Sequence, residues 1–387
     1  PAPIAYELTW FPGSPGTYVP GTEQFTRIFD INSSGIAVGQ HYDGAGTHLP
    51  FWTTSDGVIN PLDNLWSLPP GYETWQIEGN DLQINDAGLV CGIIEDPATN
   101  EEELFIANFN VPGSQLEPIG AVPSNAQWLH MNENGDVAFM SSEPGVGVWS
   151  TYLYVRSLGT IYSFENDPGL VPTGLNDNLQ ISLISNENPD GSGFLYHGSA
   201  CLTFNPSDES VQVDYLGVAQ SYTDLVTLPW GGINNAGTVF GCFETTVSNK
   251  GKRRGSNMMA GFITSVSNSW TELDSSLPTG SSLWGSNQLQ AAACVLSVNE
   301  AGQVVGGYDS IGHRSADLFL VDTVDGILNL NDLVTGSSAD VNGFVAANNF
   351  RGVHITEPDP ATRYGIISGY DIITGDAFIL TPVPVTP

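Results

Sequence analysis

Basic residues are scarce in this chain. Nine Lys and Arg stand against 42 Asp and Glu, a formal net charge of −33 over 387 residues. Neutralising phosphates requires Lys and Arg, so no nucleic acid is expected as a partner. An anionic membrane surface is disfavoured for the same reason. Charged residues of both signs amount to 13%, about half the usual share, so the surface must be Ser, Thr, Asn, Gly and backbone. No run of eighteen apolar residues occurs, and no membrane insertion is expected. The four cysteines contain no Cys-x-x-Cys, which argues against a thiolate metal cluster. No Gly-x-Ser-x-Gly elbow, His-Glu-x-x-His pair, phosphate-binding Gly-rich loop or full EF-hand loop is present. There is no initiator Met. A chain opening at Pro1 is expected of a secreted or cell-surface protein whose signal peptide has been removed.

What is present is a globular share of hydrophobic residues, 41%, with 44 Gly and 25 Pro, a composition of frequent turns rather than long helices. It is also repetitive. Segments of the form apolar-Asn-x-x-Gly recur at Asn32, Asn85, Asn132, Asn234 and Asn299, with a variant at Asn176 that carries Leu179 in place of Gly. The Asn residues step by 53, 47, 44, 58 and 65 positions, a period of propellers and related arrays. Each unit reads as four short strands, A to D. The Asn-x-x-Gly stretch is the A–B turn, with Asn capping it through its side chain and Gly in the left-handed region. Five structural turn residues follow: Asn32, Asn85, Asn132, Asn234 and Asn299.

Six units come from these turns. A seventh follows residue 335, where Ile366-Ile367-Ser368-Gly369-Tyr370-Asp371 matches Val304-Val305-Gly306-Gly307-Tyr308-Asp309. It lacks a strand D, whereas Ile4 to Trp10 is a strand without a unit of its own. The expected fold is therefore all-β: a single seven-bladed β-propeller domain over residues 1–387, with four-stranded antiparallel blades. The N-terminal strand completes the last blade and leaves no unpaired edge.

These motifs resemble the HAF repeats of bacterial extracellular proteins. That repeat carries an Ile-Asn-x-x-Gly-x-Val-Val-Gly core and then a His-Ala-Phe-like strand, seen here as His48-Leu49-Pro50-Phe51-Trp52, Ala260-Gly261-Phe262 and Asp376-Ala377-Phe378. The resemblance implies an exported protein and brings no catalytic residues with it.

Short A–B and C–D turns on one face, and longer B–C and D–A loops on the other, place the working face on the long loops. Candidate ligand contacts there are Trp75, Trp284, His313 and Arg314, with Trp128 and Trp230 nearer the channel mouth. Flat rings stack on sugar C–H groups while polar atoms take the hydroxyls; the alternative is that these rings fill gaps between blades. The acidic loop of Glu95-Asp96 and Glu101-Glu102-Glu103, and the stretch Asn186 to Gly191, are candidates for calcium, which takes six to eight oxygens, or are solvated loops. No other cofactor is expected. Lys250, Lys252, Arg253 and Arg254 form a basic spot for an anionic partner or a mobile insertion. Cys242 and Cys294 sit at matching offsets in adjacent blades and could pair as a disulfide, or stay as buried thiols.

The reading that follows is a non-catalytic extracellular or cell-surface binding propeller for carbohydrate or another surface component such as a surface protein. A neutral sugar, or one bridged by calcium, suits the −33 charge better than a bare acidic one. A polysaccharide lyase or hydrolase, and a structural subunit of an envelope assembly, are the alternatives.

Overall fold

The computed structural model describes residues 4–11, 24–43, 48–78, 81–123, 126–142, 149–164, 170–185, 198–216, 227–247, 255–264, 270–273, 280–283, 292–309, 315–322, 324–346, 350–371 and 374–384. The recurring Asn segments are hairpin turns. Asn32 Oδ1 accepts from the amides of Ser34 at 3.1 Å and Ile36 at 3.0 Å, and the Gly35 amide donates to the Asn32 carbonyl at 2.9 Å. Asn85, Asn132, Asn234 and Asn299 accept in the same way from Leu89, Asp136, Thr238 and Gln303. Gly35, Gly88, Gly135, Gly237 and Gly302 have φ between +72° and +80°, where a Cβ is disfavoured. Leu179 adopts φ +56° and Asn176 Oδ1 still accepts from Asn178 and Gln180, so the turn survives without glycine. In the last unit Thr356 replaces the Asn. Its Oγ1 accepts from the Ile366 amide and its own amide donates to the Ile366 carbonyl, both at 2.9 Å.

The chain divides into two compact units, residues 1–164 with 331–387, and residues 165–330. The first holds four blades. Blade 1 is Gln24–Ile31, Ala37–Asp43, His48–Thr53 and Ile59–Pro61. Blade 2 has a broken first strand, Gln76–Ile77 and Gln83–Ile84, both pairing with Leu89–Asp96; Glu101–Asn108 and Glu117–Val122 complete it. Blade 3 is Gln127–Met131, Val137–Ser142, Trp149–Val155 and Thr160–Phe164. Blade 7 is Phe350–Ile355, Ile367–Asp371, Ala377–Pro384 and the N-terminal Ile4–Phe11. The second unit holds blade 4 (Leu170–Leu175 to Ser210–Leu216), blade 5 (Thr227–Ile233 to Gly280–Leu283) and blade 6 (Ala292–Val298 to Gly326–Asn329). These are the seven antiparallel blades of a β-propeller.

The N-terminal strand closes blade 7 as the sequence predicts. Ile4 pairs with Pro384 and Phe11 with Ala377 across an unbroken antiparallel register. The outer edge of that strand is itself covered, because Val334–Thr335 runs parallel to it at Tyr6 and Glu7. The preference for turns over helices has an exception here. Helix Ser338–Ala346 brings Phe344, fully buried, against Trp10, Phe350 and Phe378.

Two features of the repeat acquire a reason in three dimensions. The turn Asn reaches the next blade: Asn85 Nδ2 donates to the Asn132 carbonyl at 3.0 Å, and Asn176 Nδ2 to the Asn234 carbonyl at 2.8 Å. These two turns are therefore satisfied partly by their neighbours. The glycines Gly39, Gly92, Gly306 and Gly369 of the second strands lie opposite Phe51, Phe105, Phe319 and Phe378 of the third strands. A Cβ on Gly39 or Gly369 would stand 2.8 Å from the facing ring, so the ring takes the space that a side chain would occupy. In the second unit Cys242, on the second strand of blade 5, and Cys294, on the first strand of blade 6, form a disulfide with Cα atoms 5.1 Å apart. Cys91 and Cys201 are buried thiols.

Candidate functional site

Three of the sequence-predicted ligand residues, Trp284, His313 and Arg314, lie outside the described residues, as do Asn186 to Gly191 and the basic spot at Lys250 to Arg254. The backbone of Trp230 belongs to strand Thr227–Ile233; its ring is not among the described side chains. The structure describes Trp75 and Trp128 fully. Trp75 is half-buried, packed on the cluster of Leu65, Trp66 and Leu82. Its ring lies 4.9 Å from that of Tyr72 at a tilt of 58°. The Tyr72 hydroxyl donates to Glu103 Oε2 at 2.9 Å, and its pKa is raised by burial, then by the Glu103 hydrogen bond and charge. Trp66, by contrast, belongs to the core: it is buried and its Nε1 donates to the Asn108 carbonyl.

Trp128 is different. It is 40% exposed and lies in an irregularity of strand Gln127–Met131, where the register slips between Gln127 and His130. It has φ +60°, an outlier for a bulky residue. The backbone is held there from the preceding blade, since the Trp128 amide donates to Asp81 Oδ2 at 2.8 Å. Burial raises the Asp81 pKa and that amide pulls it back. The result is a large ring presented to solvent on a backbone pinned by a charge-assisted bond.

The acidic stretch Glu95 to Glu102 is not the long loop expected. The strands continue to Asp96 and resume at Glu101, and Asp96 caps the tight turn by accepting from the amide of Ala98 and the hydroxyl of Thr99. Among the described residues no group of three or more His, Cys, Asp or Glu is arranged for a metal.

A polar cluster that sequence reading misses lies on the first strands of the first unit. Asp30, Gln83, His130 and His354 each precede the turn residue of their blade by two positions. Asp30 Oδ1 accepts from the Ile31 amide at 2.9 Å, and Oδ2 from the Ile84 amide of blade 2 at 3.0 Å. His354 Nδ1, from blade 7, stands 3.7 Å from Asp30 Oδ1. Burial raises the Asp30 pKa to about 7; the two amides oppose this, and the Glu133 and Asp86 charges add to it. Burial and then the neighbouring His130 lower His354 to about 4. Burial thus favours the neutral form of both groups, and at 3.7 Å they are in proximity without a direct hydrogen bond. Buried Cys91, paired with Gln83 across the hairpin, is held protonated by burial and then by Asp30. Superposing the repeats on their turn residue is the signal that would have found this row.

No family model matches the chain, and no curated protein matches it. Among solved structures it is similar to an oligogalacturonate lyase from Vibrio parahaemolyticus, at 10% identity over 98% of each chain with a TM-score of 0.46. It is similar to the WD40 domain of Toxoplasma gondii coronin at 9% identity over 100% of this chain and 88% of that one, TM-score 0.45. It is also similar to an alpha-L-arabinanase from Penicillium chrysogenum at 10% identity over 76% and 89%, TM-score 0.40. Likenesses this distant carry no activity across.

Proposed function

We propose that the protein is a non-catalytic binding propeller, secreted or held at a cell surface, whose ligand is a neutral carbohydrate or another surface component met by its aromatic residues. The observation that carries the reading is Trp128, a 40% exposed ring at φ +60° tied to Asp81. A bulky side chain held in the left-handed region costs stability, and such strain clusters at functional positions. The half-buried Trp75–Tyr72 pair beside Glu103 offers a second ring with an adjacent hydroxyl acceptor. The Cys242–Cys294 disulfide suits an oxidising compartment, as does the likeness to the HAF repeats. Among the described residues no helix is long and apolar enough to cross a membrane. The net charge of −33 disfavours nucleic acid. The reading takes binding to need no cofactor, so EDTA should leave it intact; loss of binding in EDTA would point to a calcium-bridged ligand instead.

The test is a glycan array with the purified protein, followed by Trp128→Ala and Trp128→Gly. Binding should fall at least about tenfold in both, while Trp128→Gly keeps or raises the melting temperature because glycine tolerates φ > 0. An array without hits, or unchanged binding in both variants, overturns the reading. The Asp30–His354 pair supports a second reading, proton transfer in a polysaccharide-cleaving enzyme. Product release by the wild type that disappears in Asp30→Asn would favour it.

A further inference from the structure

The outer strand of blade 4, Ser210–Leu216, ends its sheet. It pairs inward with Gly198–Asn205 in an unbroken register, from Ser199 with Leu216 to Asn205 with Ser210. Among the described residues no strand pairs with its other side. Such an edge presents a row of backbone N–H and C=O groups to a further strand. The other blades blunt theirs. Blade 1 ends in three residues, Ile59–Pro61, the last a proline. The outer strand of blade 2 contains Pro118, and its register breaks between Pro118 and Gly120. Blades 3 and 6 end in strands of five and four residues, Thr160–Phe164 and Gly326–Asn329. In blade 5 the place is shared by two short strands, Thr271–Glu272 and Gly280–Leu283, and in blade 7 the edge is covered by Val334–Thr335. The blade 4 edge has seven residues with no proline, no lysine and no bulge.

Its sequence, Ser-Val-Gln-Val-Asp-Tyr-Leu, is complementary to itself. When two such strands run antiparallel about a twofold axis at Val213, every residue of the strand pairs. Val213 then meets Val213, Val211 meets Tyr215, and Gln212 meets Asp214, each pair on one face of the sheet. Val211, Val213 and Tyr215 lie opposite Phe204, Leu202 and Ala200 of the third strand, all three buried, so the apolar face of the blade continues across the seam. Val211 is 44% exposed in the single chain, surface that a paired strand covers. On the other face Gln212 Nε2 donates to both carboxylate oxygens of Asp214 in its own chain, at 2.9 and 3.0 Å. The same amide and carboxylate can be exchanged between two chains. Asp214 is the only charge in the strand, and an axis centred on it would set two carboxylates against each other.

We propose that Ser210–Leu216 is a self-association edge, which pairs antiparallel with the same strand of a second copy of this chain and joins two four-stranded blades into one sheet. The edge lies on blade 4, apart from the Trp75 and Trp128 positions on blades 2 and 3, so it goes beyond the reading given above. A ribbon of this length falls short of the about 1,200 Å² that a stable interface buries, and the dimer is weak. Two copies with a charge of −33 each also repel. Salt screens that repulsion and leaves backbone pairing and apolar contact in place, so association strengthens as salt rises.

The test is sedimentation equilibrium of the full chain at concentrations up to about 1 mM, the range of weak interfaces, in low and in high salt. The wild type should show a reversible monomer–dimer equilibrium that tightens with salt. Gln212→Asp sets a carboxylate opposite Asp214 of the second copy on both sides of the axis, and should weaken the dimer at least about tenfold. Adding Asp214→Gln restores the opposed amide and carboxylate in reversed order, and should recover the affinity. Gln212 is exposed, so Gln212→Asp should melt like the wild type. A wild type that stays monomeric throughout overturns the proposal, as does association that weakens with salt. A dimer that Gln212→Asp leaves unchanged forms through another surface and overturns it too, and so does a loss that Asp214→Gln fails to recover.

Discussion

Asp30 and His354 are displaced from their ordinary ionisation in opposite senses, and each displacement is a statement about stability. Burial pushes Asp30 up to about 7 in the folded chain against 3.8 for an ordinary aspartate, so its contribution is fully present below about pH 4 and is lost as pH rises through 7. His354 titrates near 4 against 6.5, so its contribution is fully present above 6.5 and is lost as pH falls through 4. Between pH 4 and 6.5 the two slopes have opposite signs, each about 1.4 kcal/mol per pH unit, and offset one another. Single variants should expose them. In Asp30→Asn, denaturant unfolding should show stability falling as pH drops from 6.5 to 4. In His354→Gln, stability should fall as pH rises from 4 to 7. Parallel pH profiles for the two variants would refute the assignment. The turn residues Asn32 and Asn85 are legible in sequence because their partners lie two and four residues on. Asp30 and His354 sit near opposite ends of the chain, and nothing local marks either one.

At the scale of the strand, the Val-Gly step of the second strand and the Phe of the third strand are one feature. Gly39 faces Phe51 directly, and a Cβ on Gly39 would also meet the Arg27 carbonyl. Gly39→Ala should therefore cost about 1–3 kcal/mol, as overpacking does, and Phe51→Leu introduced with it should recover part of the loss. Purely additive losses in the double variant would show that ring and glycine are independent. The sequence shows these strands through apolar runs and turn residues. It does not show helix Ser338–Ala346, whose Ser, Asn and Gly content is poor for helix. What holds that helix is Phe344, buried among Trp10, Phe350 and Phe378, a tertiary contact that overrides local propensity.

For the whole molecule, the connections between distant segments are where stability is most exposed to test. Removing residues 1–11 strips the outer partner from Ala377–Pro384 and leaves a bare strand edge; the melting temperature should fall by many degrees and aggregation should rise. An unchanged melting curve would contradict the pairing. The Cys242–Cys294 bond spans 52 residues, and reducing it should lower unfolding free energy by about 2–4 kcal/mol. Thiol titration of the unfolded, unreduced chain should find two free thiols, Cys91 and Cys201; finding four would contradict the bond.

The sequence by itself determined the blade. Alternating strands, Asn-x-x-Gly turns and their spacing act over a few residues, so count, order and closure could be read along the chain. Tertiary structure decided what meets across blades: Asp30 with Ile84 and His354, Trp128 with Asp81, Arg27 with Tyr370. Each of these contacts joins residues that only become neighbours once two blades pack together, and the burial that shifts Asp30 and His354 exists only in that packing. A propeller repeats its backbone and varies its seams, which is why the repeat pattern discloses the fold and is silent about the residues between the blades.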